Sequence, residues 1–232
     1  MHLELAESSV RSALVTMTEE SRSWTLDEIL NTLRAKSRLM SATWDTLGWI
    51  LFREGKRKEA ESYLKSAWLD EQNAEVGEHL GDLLAARNDR SGAVRQYSLA
   101  LATIPPFDML GVKRTKPTAQ ETSLRNKLQA LQGKSSANKV SEDEWRKRLQ
   151  EERKFALGPI KDSSGTAEYK FLIGPKGIER VMPSGDKQIA NGLEAAQKIQ
   201  LSDCVPAKVD AKLVRAGMTN CRTGNCEIFL EP

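Results

Sequence analysis

Over the first half of the chain apolar side chains recur three and four positions apart, the period of an amphipathic helix. After residue 157 they alternate with polar ones, the period of a strand. A helical array followed by a β-rich tail is therefore predicted. Residues 39 to 53 and 56 to 70 form one expected helix pair, turned at Gly55. Residues 74 to 87 and 90 to 102 form a second, with Asn88 in the turn and Asp89 as N-cap. Pro105 and Pro106 stop the array. Beyond them PTAQETSLRNKLQALQG predicts a closing helix, with Leu124, Leu128 and Leu131 on one side and Gly133 as its stop. Ahead of the pairs, SWTLDEILNTLRAKS predicts a further helix opened by Thr25, with Leu26, Ile29, Leu30 and Leu33 on one face. It either lengthens the helix that begins at residue 39 or folds back over the array.

The helical half is self-similar. Trp44, Leu47, Gly48, Leu51, Ala60, Leu64 and Ala67 match Gly77, Leu80, Gly81, Leu84, Ala93, Tyr97 and Ala100 at a constant displacement of 33 residues, with Pro105 following. Such repeats stack because each unit buries its apolar face only against a neighbour. Gly48 and Gly81, with Ala60 and Ala93 opposite, leave room for the two helices of a pair to approach, so a large side chain at Gly48 is expected to push them apart. Ala6, Val10 and Ala13 repeat the spacing of Ala60, Leu64 and Ala67, and the chain is expected to begin inside another repeat.

The second half starts with GKSSANKV, polar and without period, which is expected to be a linker. SEDEWRKRLQEERKF opens with a capping box, Ser141 and Glu144, and has few apolar residues, so it predicts an exposed connector helix. TAEYKFLIG, the PKG turn and IERVMPSG read as a hairpin; NGLEAAQKIQ reads as a short helix; AKVDAKLVRAGM and CEIFLEP read as two more strands. The expected fold class is α followed by α+β. A helical repeat domain would span residues 1–132, a linker and connector helix 133–156, and a β-β-α-β-β domain 157–232.

The formal charge is only +3 and the two signs are interspersed, so a concentrated basic face is missing and nucleic acid is not an expected partner. No apolar run approaches the roughly 20 residues that span a bilayer, and no membrane insertion is expected. The opening MHLELAESSVRSAL carries acids where a secretion signal has an unbroken apolar stretch. Either the protein is cytosolic or its leader lies outside this sequence.

WDTLGWILFREGKRKEAESYLKSAWL with EVGEHLGDLL resembles the tetratricopeptide repeat, in particular the terminal repeats of a group of long bacterial proteins, many with a transglutaminase-like domain upstream. The tail resembles the same group through its PKG turn, its short helix and LVRAGM-x2-C…C-x-I-F-L; in element order it is also similar to the TonB C-terminal domain. The resemblance implies a helical solenoid, a periplasmic or other extracytoplasmic setting, and a non-enzymatic scaffold role in protein–protein interaction. The alternative it implies is an accessory C-terminal region of a longer transglutaminase- or protease-like enzyme. A cytoplasmic setting stays open.

The three cysteines, Cys204, Cys221 and Cys226, all fall in the last 29 residues. A nucleophilic Cys would need a His base, but His2 sits at the terminus and His79 lies far along the chain from every thiol, so no catalytic residue is expected. Zinc would want four ligands at suitable spacing, and CRTGNC supplies only part of such a set, so neither metal nor cofactor is expected. A redox dithiol is usually C-x-x-C at a helix N-terminus. Here Arg222, Thr223, Gly224 and Asn225 are turn formers, which would place Cys221 and Cys226 opposite each other across a hairpin. A structural disulfide is the favoured reading, stabilising by about 2 kcal/mol and pointing to an oxidising compartment. Cys204 is expected to be a buried small residue.

The remaining candidate site follows from the resemblance, since tetratricopeptide grooves are lined mainly by the first helix of each pair. The corresponding positions are Asp45, Trp49, Phe52 and Arg53 in one repeat and Glu78, Asp82 and Ala85 in the next. Three acids beside two aromatics favour a protein or peptide partner with an apolar or basic segment. Alternatively, Trp49 and Phe52 pack against the TLDEILNTL helix at residues 25–33 and the acids form a solvated face.

Overall fold

The computed structural model describes residues 2–108, 110–132, 141–160, 163–189 and 191–231. Its helical half runs α1 (His2–Arg22), α2 (Leu30–Arg53), α3 (Arg57–Asp70), α4 (Ala74–Ala86), α5 (Arg90–Thr103), α6 (Ala119–Gln132) and α7 (Glu142–Glu151). The two expected pairs and the closing helix are present, but the helix predicted to start at Thr25 does not stand alone. Nothing in residues 34–39 breaks a helix, so α2 runs unbroken for 24 residues. The Thr25 N–H instead donates to the Glu28 carboxylate (3.1 Å) in a turn that precedes α2, and Leu26 there is completely buried.

Both pairs close in the same way. A Cβ on Gly48 would lie 2.8 Å from Leu64, and one on Gly81 would lie 2.3 Å from the Tyr97 ring. Only glycine allows either approach. Gly55 turns the first pair at φ 80° and Asn88 the second at φ 62°, while the Asp89 side chain accepts from the Gly92 N–H (2.9 Å) as the expected N-cap. The buried stripe of α1 is Leu14, Thr18 and Ser21 with Val10 and Met17 beside them, and Ala13 is exposed. Its packing register is therefore offset from the Ala6, Val10, Ala13 spacing read in the sequence.

The tail contains one strand more than expected. β1 (Lys154–Pro159), β2 (Gly165–Gly174), β3 (Gly177–Pro183), β4 (Leu213–Arg222) and β5 (Asn225–Leu230) form an antiparallel sheet in the order β1-β5-β4-β2-β3, with α8 (Gly192–Gln197) between β3 and β4 in sequence. The connector helix ends at Glu151 because Lys154 and Phe155 pair with Phe229 and Ile228. Nor is that helix fully exposed: Leu149 is buried, and Glu152 beyond it accepts from the Trp68 and Gln72 side chains at 3.0 and 3.2 Å. The expected linker at residues 133–140 lies outside the described residues. α8 touches both β1 and β3, the two outer strands, so the sheet curls around it.

At the last hairpin Thr223 (φ 49°) and Gly224 (φ 84°) both take the left-handed region, the signature of a two-residue type I′ turn. That turn puts Cys221 opposite Cys226 with Cα atoms 4.1 Å apart, joined by a disulfide.

Helices and sheet share one apolar core, which runs from Leu33, Met40 and Trp44 of α2 to Leu172 of β2 and Val214 of β4. Charged pairs cross this junction at its rim, Arg22 with Asp210, Arg34 with Glu231 and Arg180 with Asp27, and four serine hydroxyls cross it at backbone groups. Ser21 and Ser37 accept from the N–H groups of Lys212 (3.0 Å) and Val214 (2.9 Å), Ser62 accepts from that of Ala207 (2.7 Å), and Ser66 donates to the Asp203 carbonyl (2.9 Å). Deeper in, Arg215 of β4 reaches Asp70 at the end of α3 (3.3 Å), with side chains 5% and 3% exposed. Its guanidinium also donates to the Leu69 and Glu231 carbonyls, both at 2.7 Å. These bonds satisfy a charge that would otherwise be costly to bury.

Candidate functional site

α2, α4 and α6 touch in succession, so the first helices of the two pairs and the closing helix form a row. The expected groove residues lie along it, but the structure treats the two repeats differently. Asp45 is buried and faces across to α4, where His79 Nδ1 sits 3.0 and 3.1 Å from its two carboxylate oxygens. The His79 ring stacks on Trp49, with centroids 4.2 Å apart and planes inclined by 13°. Phe52 lies 5.3 Å from Trp49, and the Arg53 guanidinium lies 5.7 Å over the same indole. Trp49 and Phe52 are half-buried and Arg53 is exposed. Of the segment at residues 25–33, residues 30–33 belong to α2 itself, while Leu26 and Asp27 meet Lys170 and Arg180 of the sheet.

Glu78 is the repeat equivalent of Asp45, and it too reaches across to the next helix of the row. It accepts from Ser123 (2.6 Å) and from Gln120, and pairs with Lys127 (2.6 Å). Asp82 accepts from the same Lys127 (2.6 Å) and from the Tyr97 hydroxyl (2.6 Å). Burial and the bond to Asp82 push the Tyr97 phenol far up. Burial pulls the Lys127 ammonium down, but its bonds to Asp82 and Glu78 outweigh that and hold it above its ordinary value. Ala85 and Leu128 of α6 both pack against a small satellite core of Ala93, Tyr97, Ala100 and Leu124. α6 thus lies against the candidate positions of the second repeat and neutralises its acids. Asp45, Trp49, Phe52 and Arg53 remain together on the first repeat, joined by His79.

Two contributors escaped the sequence reading. His79 stands one residue after a groove position and looked like part of the repeat signature, while Lys127 lies between Leu124 and Leu128 on a helix read only as a cap. The signal for both was the 33-residue displacement: residues equivalent by the repeat should make equivalent contacts with the next helix in the row.

Cys221 and Cys226 are joined, and burial pushes the Cys204 thiol up to about 11 against the opposing pull of Arg215. Among the described residues no group of three His, Cys, Asp or Glu side chains is placed to hold a metal ion. No described helix is long and apolar enough to cross a membrane. Known protein families, curated proteins and solved structures, searched in turn, return no match to this chain.

Proposed function

We propose that the protein is a non-enzymatic interaction scaffold in which a short tetratricopeptide-type array presents the Trp49 face of α2 to a partner, backed by the sheet domain. The observation that carries this reading is the half-exposed ledge of Trp49 and Phe52, with Arg53 beside it and His79 stacked behind. Aromatic and arginine side chains held in one orientation are the usual anchors of protein recognition. Glu78 and Asp82 are already paired with Lys127, so the expected partner is an apolar segment of a protein or peptide rather than a basic one. The non-enzymatic reading draws support from the Cys204 thiol, which burial keeps protonated. The disulfide fits an oxidising compartment, and the bacterial periplasm is the setting we favour. The likeness of the tail to the TonB C-terminal domain rests on element order, to which β1 adds a strand in front.

Peptides selected from a random display library on the full chain provide the test. Binding of the selected sequences, measured by fluorescence anisotropy, should weaken about tenfold or more in Trp49→Ala and in Arg53→Glu. Arg53 is exposed, so its variant should keep the wild-type melting temperature. Affinities unchanged in both variants would remove the site.

A further inference from the structure

The hairpin between α5 and α6 holds apolar side chains out in solvent. Leu110 is 87% exposed, Val112 60% and Phe107 51%. The loop that carries them is pinned. Phe107 and Lys113 face each other in an antiparallel bridge. The Asp108 carboxylate accepts from the N–H groups of Leu110 (2.9 Å) and Val112 (2.8 Å), and the Asp108 N–H donates to the Val112 carbonyl (2.8 Å). Bonds of this kind hold Phe107, Leu110 and Val112 in the exposed positions described.

At the foot of the hairpin lies a depression of about 260 Å³, lined by five cations against two carboxylates, Glu121 and Glu142. Both carboxylates are already engaged: Glu121 by Arg114 and Arg125, Glu142 by Arg125. Lys113 and Lys116 are exposed and have no ion-pair partner among the described residues. An apolar tip therefore stands over an uncompensated basic shoulder.

Three side chains on a narrow turn offer far less than the roughly 800 Å² per partner that a specific protein interface uses. A bilayer surface makes no such demand, since it takes separate apolar side chains into the acyl boundary and presents a diffuse negative potential to cations beside them. We propose that this hairpin is a membrane-surface contact, with Phe107, Leu110 and Val112 entering one leaflet of an anionic bilayer while Lys113, Lys116 and the basic depression take its headgroup phosphates. The contact is peripheral and spans nothing.

Flotation of the full chain with vesicles of phosphatidylcholine, alone or mixed with phosphatidylglycerol, tests it. The wild type should float with the mixed vesicles, far less with the neutral ones, and progressively less as salt rises. The Leu110→Asp/Val112→Asp and Lys113→Glu/Lys116→Glu variants alter only exposed side chains and should keep the wild-type melting temperature. Each should lose binding to mixed vesicles by about tenfold or more. A tip variant that binds as well as wild type would mean adsorption by overall charge alone and would overturn the proposal. Absence of wild-type binding to either vesicle would overturn it too, and would leave the hairpin for a protein partner.

Discussion

Between α2 and α3, and again between α4 and α5, contact is made by a glycine against a bulky side chain: Gly48 on Leu64, Gly81 on Tyr97. Between the helices and the sheet an apolar core is shared, and it is crossed by serine hydroxyls on backbone groups and by charged pairs, the most buried of them Arg215–Asp70. The residues that meet in a seam are near each other in sequence. Those that meet at the junction are 137 to 191 positions apart for the serine bonds. Local contacts form with little loop-closure entropy and can rely on shape alone. Distant surfaces with only apolar facing could dock in more than one register, and directional bonds at buried positions select one of them. The seams therefore build the array, and the junction decides how the sheet backs it.

The largest expected effect breaks the junction. Arg215→Ala leaves the Asp70 carboxylate buried without its partner, and should cost about 3–5 kcal/mol in urea unfolding. The double variant Arg215→Met/Asp70→Leu should recover much of that loss, because the penalty comes from the stranded charge rather than from lost attraction. A single variant within the error of wild type would mean that the pair contributes nothing at the junction.

A seam should give way more modestly. Gly81→Val would drive its side chain into the Tyr97 ring, and overpacking of this kind costs about 1–3 kcal/mol. Circular dichroism melts should show a lower melting temperature with unchanged helix content at low temperature. A neutral outcome would place the close approach elsewhere.

A smaller effect sharpens the contrast at the start of the array. Glu7 of α1 accepts from Lys56 (2.7 Å) and Arg11 (2.6 Å), and these bonds hold its carboxyl down at about 2. A depressed carboxyl contributes stability that is complete above its unfolded value near 4.5 and is lost as pH falls through about 2. Glu7→Gln should therefore shrink the drop in melting temperature between pH 7 and pH 3. An equal drop in both proteins would mean that other carboxylates set the acid limb.

What was legible in the sequence follows the same division. The glycine, alanine and leucine positions of the repeat, the Asn88–Asp89 turn and the CRTGNC hairpin all carry local signals, and the structure has them where the sequence placed them. The fused α2 was less legible, because a capping residue such as Thr25 can nucleate a turn as well as a helix. β1 was hidden by the charge of its surroundings, since Lys154 and Phe155 continue an apparently helical run until β5 supplies their partners. Ser21, Ser37, Ser62 and Ser66 look like ordinary surface residues of helices, and only the fold gives them distant backbone groups to bind. The repeat, with the resemblance it carries, singles out Asp45, Trp49, Phe52, Arg53, Glu78 and Asp82 as candidates, but the pairing of Glu78 and Asp82 with Lys127 depends on where the closing helix lands.

Hydrogen exchange of the wild-type protein, resolved to segments of α3 and β4, most directly tests the claim that the sheet is fixed to the array as one body. Amides around Leu64 and around Val214 should open with the same free energy and move together as denaturant is added. Exchange of β4 through a separate, lower-energy opening while α3 stays protected would contradict it.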